Sequence, residues 1–379
     1  MSAELLGIPV PASDRVEIYS GVARMSGKIW GALHRSSPPS KTVVVVVHPS
    51  SNFLGHYLLA PLAARGVDAV GLTTRYIGND SSLIIENCVL DIGAAVGYLR
   101  ERGYERVVLL GNSGGGGLIA MYQSQAESPT ITATPAGDPP DLTRADLPVV
   151  DALLAVMAHP GRAAVYTEFL DPAVVDEQAP ARRDPDLDLF GGKNEPPYDP
   201  EFIRRYRDAQ LARNRRITAW VRDALRGLDE QPGAPGDLPF LVHGTVADPR
   251  FLDVSIDASD RVPGTLWGPA GQANFMPAGL GRYTSLRSWL SQWSIDDSHC
   301  DGPAHMARTS VPTLVVYGTA DQVCFPSHAR AMYDAIPHQR KRLIAIAGGT
   351  HYLQGQPRNV AILADEIVGW LADQGVHAP

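Results

Sequence analysis

The sequence predicts an α/β protein with a mostly parallel central sheet that is flanked by helices. Two observations support this prediction. Short apolar runs alternate with helical stretches over most of the chain, and a glycine-rich turn joins one such run to a helix at residues 111–115. The alternation stops between residues 162 and 309. We therefore expect a core formed by residues 1–161 and 310–379, with a mainly helical cap (162–309) inserted before the next core strand.

The individual core elements are predicted from the periodicity of their apolar residues. Residues 42–47 are five valines preceded by a threonine, which is typical of a central strand buried on both faces. Residues 14–20 and 22–33 alternate well enough to indicate an antiparallel pair at the sheet edge. The other predicted strands are residues 67–72, 107–110, 151–157, 312–318 and 341–348, and the predicted core helices are residues 56–65, 83–102 and 118–125.

The turn Gly111-Asn112-Ser113-Gly114-Gly115 follows the pattern G-x-S-x-G between a strand and a helix. Glycines on both sides let the backbone turn sharply, so the serine hydroxyl projects out of the sheet beside the free amide groups of the new helix. Glycine-rich turns of this kind also bind phosphate, but no lysine follows here as a P-loop requires. The motif therefore predicts Ser113 as a nucleophile.

A nucleophilic serine needs a base and a group that orients the base, and in this type of fold they follow the serine as acid and then histidine. Asp321 follows one predicted strand and His351 follows the next, so both lie where open α/β sheets place their ligands. We predict the triad Ser113, Asp321 and His351. Asp176 and the cluster at residues 296–299 are the alternative sources of the acid.

The loop after the valine strand, His48-Pro49-Ser50-Ser51, is the expected source of one oxyanion donor. Proline has no N–H, so we assign the donors to the backbone amides of Ser50 and Gly114, with Ser51 as the alternative to Ser50. Further side chains at predicted strand ends are expected to contact the substrate: His48, Ser51, Tyr76, His159 and Tyr352.

These motifs resemble those of α/β-hydrolases of the serine-esterase type, over residues 14–161 and 310–374. The chain departs from many relatives in having His48-Pro49 where they have His-Gly. Relatives with an aspartate nucleophile, the epoxide hydrolases and haloalkane dehalogenases, are disfavoured by Ser113. The resemblance implies hydrolysis of a carboxylic ester or thioester through an acyl-enzyme, without a cofactor or metal. A carbon–carbon bond hydrolase, perhydrolase, amidase, acyltransferase or non-catalytic ligand-binding protein of the same fold are the alternatives.

The predicted cap contains a helix that begins after Asp199-Pro200 and ends near Leu228. Its eight arginines are expected to be mostly solvated, with contact to an acidic part of the substrate as the alternative. Aromatic residues are frequent between residues 239 and 293. We expect two of them, Trp267 and Trp289, to line a site for an apolar or aromatic acyl group.

Composition restricts the partners. A net charge of −8 and a pI near 5.8 argue against nucleic acid. Three cysteines without framework spacing indicate a reducing compartment, and residues 299–305 lack the paired spacing of a metal site. No run has the length of a membrane span, and the N-terminus has no basic region of a signal peptide. We expect a cytoplasmic protein whose partner is a small-molecule ester or thioester, with a homodimer as an alternative to a monomer.

Overall fold

A computed structural model describes residues 3–10 and 27–378. Its main sheet has eight strands in the order β1-β2-β4-β3-β5-β6-β9-β10, and β7 pairs with β8 in a separate small sheet. The strands are β1 (Glu4–Pro9), β2 (Lys28–His34), β3 (Thr42–Val47), β4 (Asp68–Leu72), β5 (Arg106–Ser113), β6 (Ala152–Ala158), β7 (Pro239–Leu241), β8 (Tyr283–Ser285), β9 (Thr313–Gly318) and β10 (Lys341–Ile346). From β4 to β10 all neighbours in the main sheet are parallel, as predicted.

Helices cover the main sheet and fill the segment between β6 and β9. They are α1 (Leu59–Ala63), α2 (Ile85–Glu101), α3 (Gly115–Glu127), α4 (Arg162–Phe169), α5 (Pro200–Asp229), α6 (Ala270–Phe275), α7 (Leu286–Ser288), α8 (Gly302–Met306), α9 (Pro326–Ala335) and α10 (Pro357–Asp373). A π-helical turn, Trp289–Trp293, directly continues α7. Among the described helices, none combines the length and the apolar character needed to cross a membrane.

Strand β3 is buried along its whole length, which confirms the prediction from its valines. Val43, Val45 and Val47 pack into the core beneath α2, α3, α8 and α9. Val44 and Val46 face the opposite core, which α1 and α10 cover. A sheet with helices on both faces therefore explains why this strand has no polar face.

The predicted N-terminal edge of the sheet differs from the observed one. Strand β2 pairs antiparallel with β1, which was not predicted, and with β4. Leu6 and Ile8 on β1 are buried and alternate with less buried neighbours, as expected for an edge strand with one face on the core. Of the strand pair predicted at residues 14–20 and 22–33, the first strand and the start of the second lie outside the described residues.

The segment between β6 and β9 (residues 162–309), here called the inserted segment, has apolar clusters of its own. One of them joins Tyr166 on α4, Val221 on α5 and Trp289. Its last part differs: Met306 on α8 packs into the main core, and the Gly302 N–H donates to the Pro160 carbonyl (2.6 Å). The last part of the segment thus packs against the main core.

Helix α5 begins after Asp199, whose side chain accepts the N–H of Phe202 (2.8 Å), as its sequence predicts. Its arginines are expected to be mostly solvated, and Arg213 is an exception because it is fully buried. The Arg213 guanidinium donates to Glu177 and to the backbone carbonyls of Asp171 and His243. A buried cation needs such partners, and residues distant in sequence supply them.

Glycine is required where β3, β5 and α3 meet. A Cβ on Gly115 would lie 2.2 Å from the Val47 carbonyl oxygen, and a Cβ on Gly111 would lie 2.2 Å from the Gly115 carbonyl oxygen. Both contacts are with backbone, which cannot rotate away. The absence of side chains at these two positions therefore lets the turn pack directly on the end of β3.

We expect Gly115→Ala to lower the free energy of unfolding by about 3 kcal/mol or more, because the strands and helix must separate to admit a methyl group. Gly97→Ala is the matched control, since a Cβ on this α2 glycine would meet nothing within 4 Å. That variant should gain about 0.5–1 kcal/mol from helix propensity and reduced chain entropy. Urea unfolding monitored by circular dichroism measures both values. Equal stability of the two variants would contradict the packing described here.

Candidate active site

Ser113 ends β5 at the turn into α3, where its φ is +57°. Residues other than glycine seldom adopt this left-handed conformation, which is typical of strained functional turns. The next residue, Gly114, is the N-cap of α3, so the free amide groups at the start of that helix lie beside the serine. The sequence motif thus forms the sharp strand-to-helix turn that it predicts.

Asp321 and His351 form a buried pair on the loops after β9 and β10. The His351 Nδ1 lies 2.9 Å from Asp321 Oδ2. The other carboxylate oxygen accepts the backbone N–H groups of Val323 (2.8 Å) and Cys324 (3.0 Å). The side chain of Asp321 is therefore fixed by its own loop, and it in turn fixes the orientation of the imidazole.

A cavity of about 310 Å³ contains Ser113, Gly114 and His351 in its wall. One part of the wall is polar, and its side chains come from Ser113, from loops that follow core strands and from the start of α4. The other part is apolar and comes mainly from the inserted segment and the β9–α9 loop. The remaining lining residues are His48, Ser50, Ser51, Asp80, His159, Arg162, Val165, Phe169, Leu266, Trp267, Leu280, Trp293, Val323 and Tyr352.

The chain resembles known proteins in a short sequence segment and in its overall structure. Residues 301–358 match the model of the serine aminopeptidase S33 family. An α/β-hydrolase from Penicillium sp. sh18, GrgF, is 12% identical with a TM-score of 0.50, and the alignment covers 99% of this chain and 100% of that one. The chain has the α/β-hydrolase fold.

Two further solved structures are similar at lower TM-scores. A monoacylglycerol lipase from Paleococcus ferrophilus is 15% identical with a TM-score of 0.47, covering 91% of this chain and 99% of its own. Est1E from Butyrivibrio proteoclasticus is 14% identical with a TM-score of 0.46, covering 98% and 100%. None of the curated proteins that were compared matches the sequence.

Within this α/β-hydrolase fold, the structure brings most of the predicted site residues to one cavity. Two predicted substrate contacts lie elsewhere. Tyr76 is buried in the main core, and its hydroxyl accepts a hydrogen bond from the Asn87 side chain (2.9 Å). Trp289 is buried inside the inserted segment, where its Nε1 donates to Thr218 Oγ1 (2.9 Å). For these two residues the prediction was wrong.

The tryptophan of this region that lines the cavity is Trp293, four residues after Trp289 on the same π-helical turn. Both side chains are buried, and the sequence pattern does not distinguish one tryptophan from the other. Only the packing of the turn against α4 decides which ring reaches the cavity. The ring of Tyr166 on α4 contacts both tryptophans, with ring centroids 5.8 Å from Trp289 and 4.4 Å from Trp293.

The alternative acids have partners within the inserted segment. Asp176 pairs with Arg182 and accepts the Gln178 N–H. In the cluster at residues 296–299, Asp296 pairs with Arg215, Asp297 pairs with Arg222, and His299 contacts Glu86. The carboxylate in contact with His351 is that of Asp321.

Sequence reasoning missed the buried cation of the cavity, Arg162. Its guanidinium pairs with Asp80, donates to the Ser50 hydroxyl (3.3 Å) and lies 4.3 Å above the Trp293 ring. Arg162 is the first residue of α4, directly after the loop that follows β6. Its position after a predicted strand could have identified it, because the same argument selected His159 three residues earlier.

Sequence reasoning also missed Cys324, which follows the acid by three residues. Its Sγ lies within 4.8 Å of an Asp321 carboxylate oxygen and a His351 ring nitrogen. Burial and the nearby Asp321 raise the pKa of this thiol well above its usual value. Cys324 is therefore a buried thiol packed against the Asp321–His351 pair.

Two histidines flank the Ser113 turn, and both are held neutral. Burial is the main reason that the pKa values of His48 and His159 are well below 6.5, and the positive charge of Arg162 lowers them further. The register of β5 and β6 shifts between Asn112 and Ser113, opposite Met157, whose φ is +42°. This irregularity brings the His159 N–H to the Ser113 carbonyl (3.2 Å).

The loop after β3 uses its backbone amides differently from the prediction. The N–H groups of Ser50 and Ser51 both donate to His48 Nδ1, at 3.1 and 2.9 Å. The Ser50 N–H, which was predicted to stabilise an oxyanion, therefore already has an acceptor.

Proposed function

We propose that this protein is a serine hydrolase that cleaves a carboxylic ester or thioester of an apolar or aromatic acyl group. The proposal rests on the composition of one cavity wall. This wall contains both Ser113, which lies on a left-handed turn, and His351, whose Nδ1 is 2.9 Å from the Asp321 carboxylate. These are the nucleophile, base and orienting acid that acyl transfer requires.

In the proposed mechanism, His351 Nε2 takes the Ser113 hydroxyl proton as Oγ bonds to the substrate carbonyl carbon. The Gly114 N–H is one donor to the oxyanion that forms. The bond between the carbonyl carbon and the leaving oxygen or sulfur then breaks, and the leaving group takes the proton from His351. Water then attacks the carbonyl carbon of the acyl-enzyme while His351 takes a proton from it. The bond from the carbonyl carbon to Ser113 Oγ breaks, His351 returns the proton to Oγ, and the carboxylic acid leaves.

The shape of the cavity supports an acyl group of limited size. Its volume of about 310 Å³ is at the lower end for small-molecule sites. Val165, Phe169, Trp267 and Leu280 give it an apolar side, and we propose that the inserted segment acts as a cap that binds the acyl group there. Activated esters and acyl-CoA thioesters graded by chain length, with an aminoacyl anilide for amidase activity, would identify the preferred class.

A fluorophosphonate probe should label Ser113, because only a serine activated by a neighbouring base attacks phosphorus quickly. Intact-protein mass spectrometry followed by peptide mapping locates the adduct. The label should be absent from Ser113→Ala and from heat-denatured protein. Labelling that persists in Ser113→Ala would contradict the assignment of the nucleophile.

Asp321→Asn should reduce kcat by roughly three to four orders of magnitude while the protein remains folded. The asparagine Oδ1 can still accept the N–H groups of Val323 and Cys324, but its NH₂ group then faces His351 Nδ1 and favours the wrong imidazole tautomer. Steady-state turnover of an activated ester measures the effect. Asp176→Asn is the control and should keep wild-type turnover; the reverse result would assign the acid to the inserted segment.

Trp267→Ala should reduce kcat/KM for aromatic or medium-chain esters more than for an activated acetate, because remote contacts help only substrates that reach them. Trp267 lines the cavity, whereas Trp220 is half-exposed on α5 and contacts Phe240. Trp220→Ala is therefore the matched control and should leave the ratio of the two activities unchanged. Equal losses on large and small esters in folded Trp267→Ala would argue against acyl binding by the proposed cap.

A further inference from the structure

The tautomer of His48 follows from its hydrogen bonds. Its Nδ1 receives two backbone N–H donors, from Ser50 at 3.1 Å and from Ser51 at 2.9 Å. A neutral imidazole has one N–H and one unprotonated nitrogen. Because Nδ1 accepts, the proton of His48 is on Nε2. Protonating Nδ1 as well would direct an N–H at two other N–H groups, so this loop holds the imidazole in one tautomer.

The Nε2–H of His48 faces the nucleophile turn. A Cβ built on Gly114 would lie 3.0 Å from His48 Nε2, and both residues line the cavity that contains Ser113. In the described part of the chain, no hydrogen-bond acceptor is found for this Nε2. A fixed donor is therefore directed at the space above the N-terminus of α3.

The same hydrogen bonds remove the backbone donors expected from this loop. Acyl transfer with a single N–H at the oxyanion would lack one of its two usual donors. We propose, on the basis of the proposed function, that His48 is a catalytic residue whose Nε2–H donates to the oxyanion together with the Gly114 N–H. Ser50 and Ser51 then act through His48 by fixing its tautomer.

The surroundings of His48 keep the donor in place. Burial and the charge of Arg162 lower the pKa of His48 well below 6.5, so the neutral tautomer persists at neutral pH. The Phe53 ring packs against the imidazole, with ring centroids 5.6 Å apart. Gly114 has no side chain that would separate the imidazole from the cavity. A donor fixed before the reaction needs no reorganisation when the charge forms.

His159 is the competing donor, since its Nε2 would lie 3.5 Å from the same Cβ on Gly114. Its Nδ1 has no hydrogen-bond partner within the described residues. The tautomer of His159 is therefore not set by a pair of backbone N–H donors as that of His48 is. This difference favours His48 and makes His159 the matched position for a test.

The decisive experiment compares two amide substitutions at position 48. His48→Asn keeps an acceptor near the position of Nδ1 but removes the distal donor, whereas His48→Gln places an N–H near the position of Nε2 and weakens the acceptor for the loop. We expect kcat on an activated ester to fall about 100-fold or more in His48→Asn, with little change in KM. In His48→Gln, kcat should fall clearly less than in His48→Asn. In both variants, the affinity for a trifluoromethyl ketone should fall in parallel with kcat/KM.

A purely structural role for His48 predicts the opposite order, with His48→Asn near wild type and His48→Gln impaired, and that result would overturn the inference. A larger loss in His159→Asn than in His48→Asn would move the donor role to His159. Thermal unfolding of each variant shows whether it is folded. Wild-type protein that neither turns over esters nor reacts with a fluorophosphonate would defeat the proposed function itself, whereas active wild type with unaffected His48→Asn would defeat only the role of His48.

Discussion

The close packing of three backbone segments around Gly111 and Gly115 is the constraint on which the candidate site depends. The end of β3 contacts the start of α3 so closely that a single methyl group on Gly115 would overlap the Val47 carbonyl. This contact requires a turn too tight for an ordinary conformation, and Ser113 accordingly has a φ of +57°. The same contact brings the residue after β3, His48, next to Gly114. One steric feature of the sequence thus determines both the direction of the proposed nucleophile and the identity of its neighbour.

The sequence predicted the core well where burial and periodicity agree. Strand β3 has apolar residues on both faces because helices cover both sides of the sheet, and that pattern is readable without tertiary information. The N-terminal edge of the main sheet was harder to predict. Strand β1 is six residues long with two residues in the main core, which is a weak alternation signal. Arg213 is the exception among arginines expected to be mostly solvated, because a single helix pattern does not show that Glu177 and backbone carbonyls lie opposite it.

Within the site, the placement of a residue can be predicted where it follows from chain order and strand ends. Asp321 and His351 follow adjacent parallel strands, so their loops meet at one edge of the sheet whatever the inserted segment does. Trp289 could not be distinguished from Trp293 in the sequence. Both are buried on the same π-helical turn, and only the direction in which each side chain points differs. The donor assigned to Ser50 failed for another reason. Pattern reasoning places a backbone N–H in a loop but does not detect that a neighbouring imidazole has already bound it.

The charges around the cavity fit a reaction in which a neutral substrate becomes an oxyanion. Arg162 is the buried cation in the wall, and its pairing with Asp80 compensates its charge before substrate binds. Burial keeps His48 and His159 neutral, so they offer dipoles rather than net charge. A site of this kind has little net charge with which to attract an anionic ground state. In the proposed acyl transfer, its oriented N–H groups would act strongly only on charge that develops during the reaction, and such differential binding accelerates the reaction.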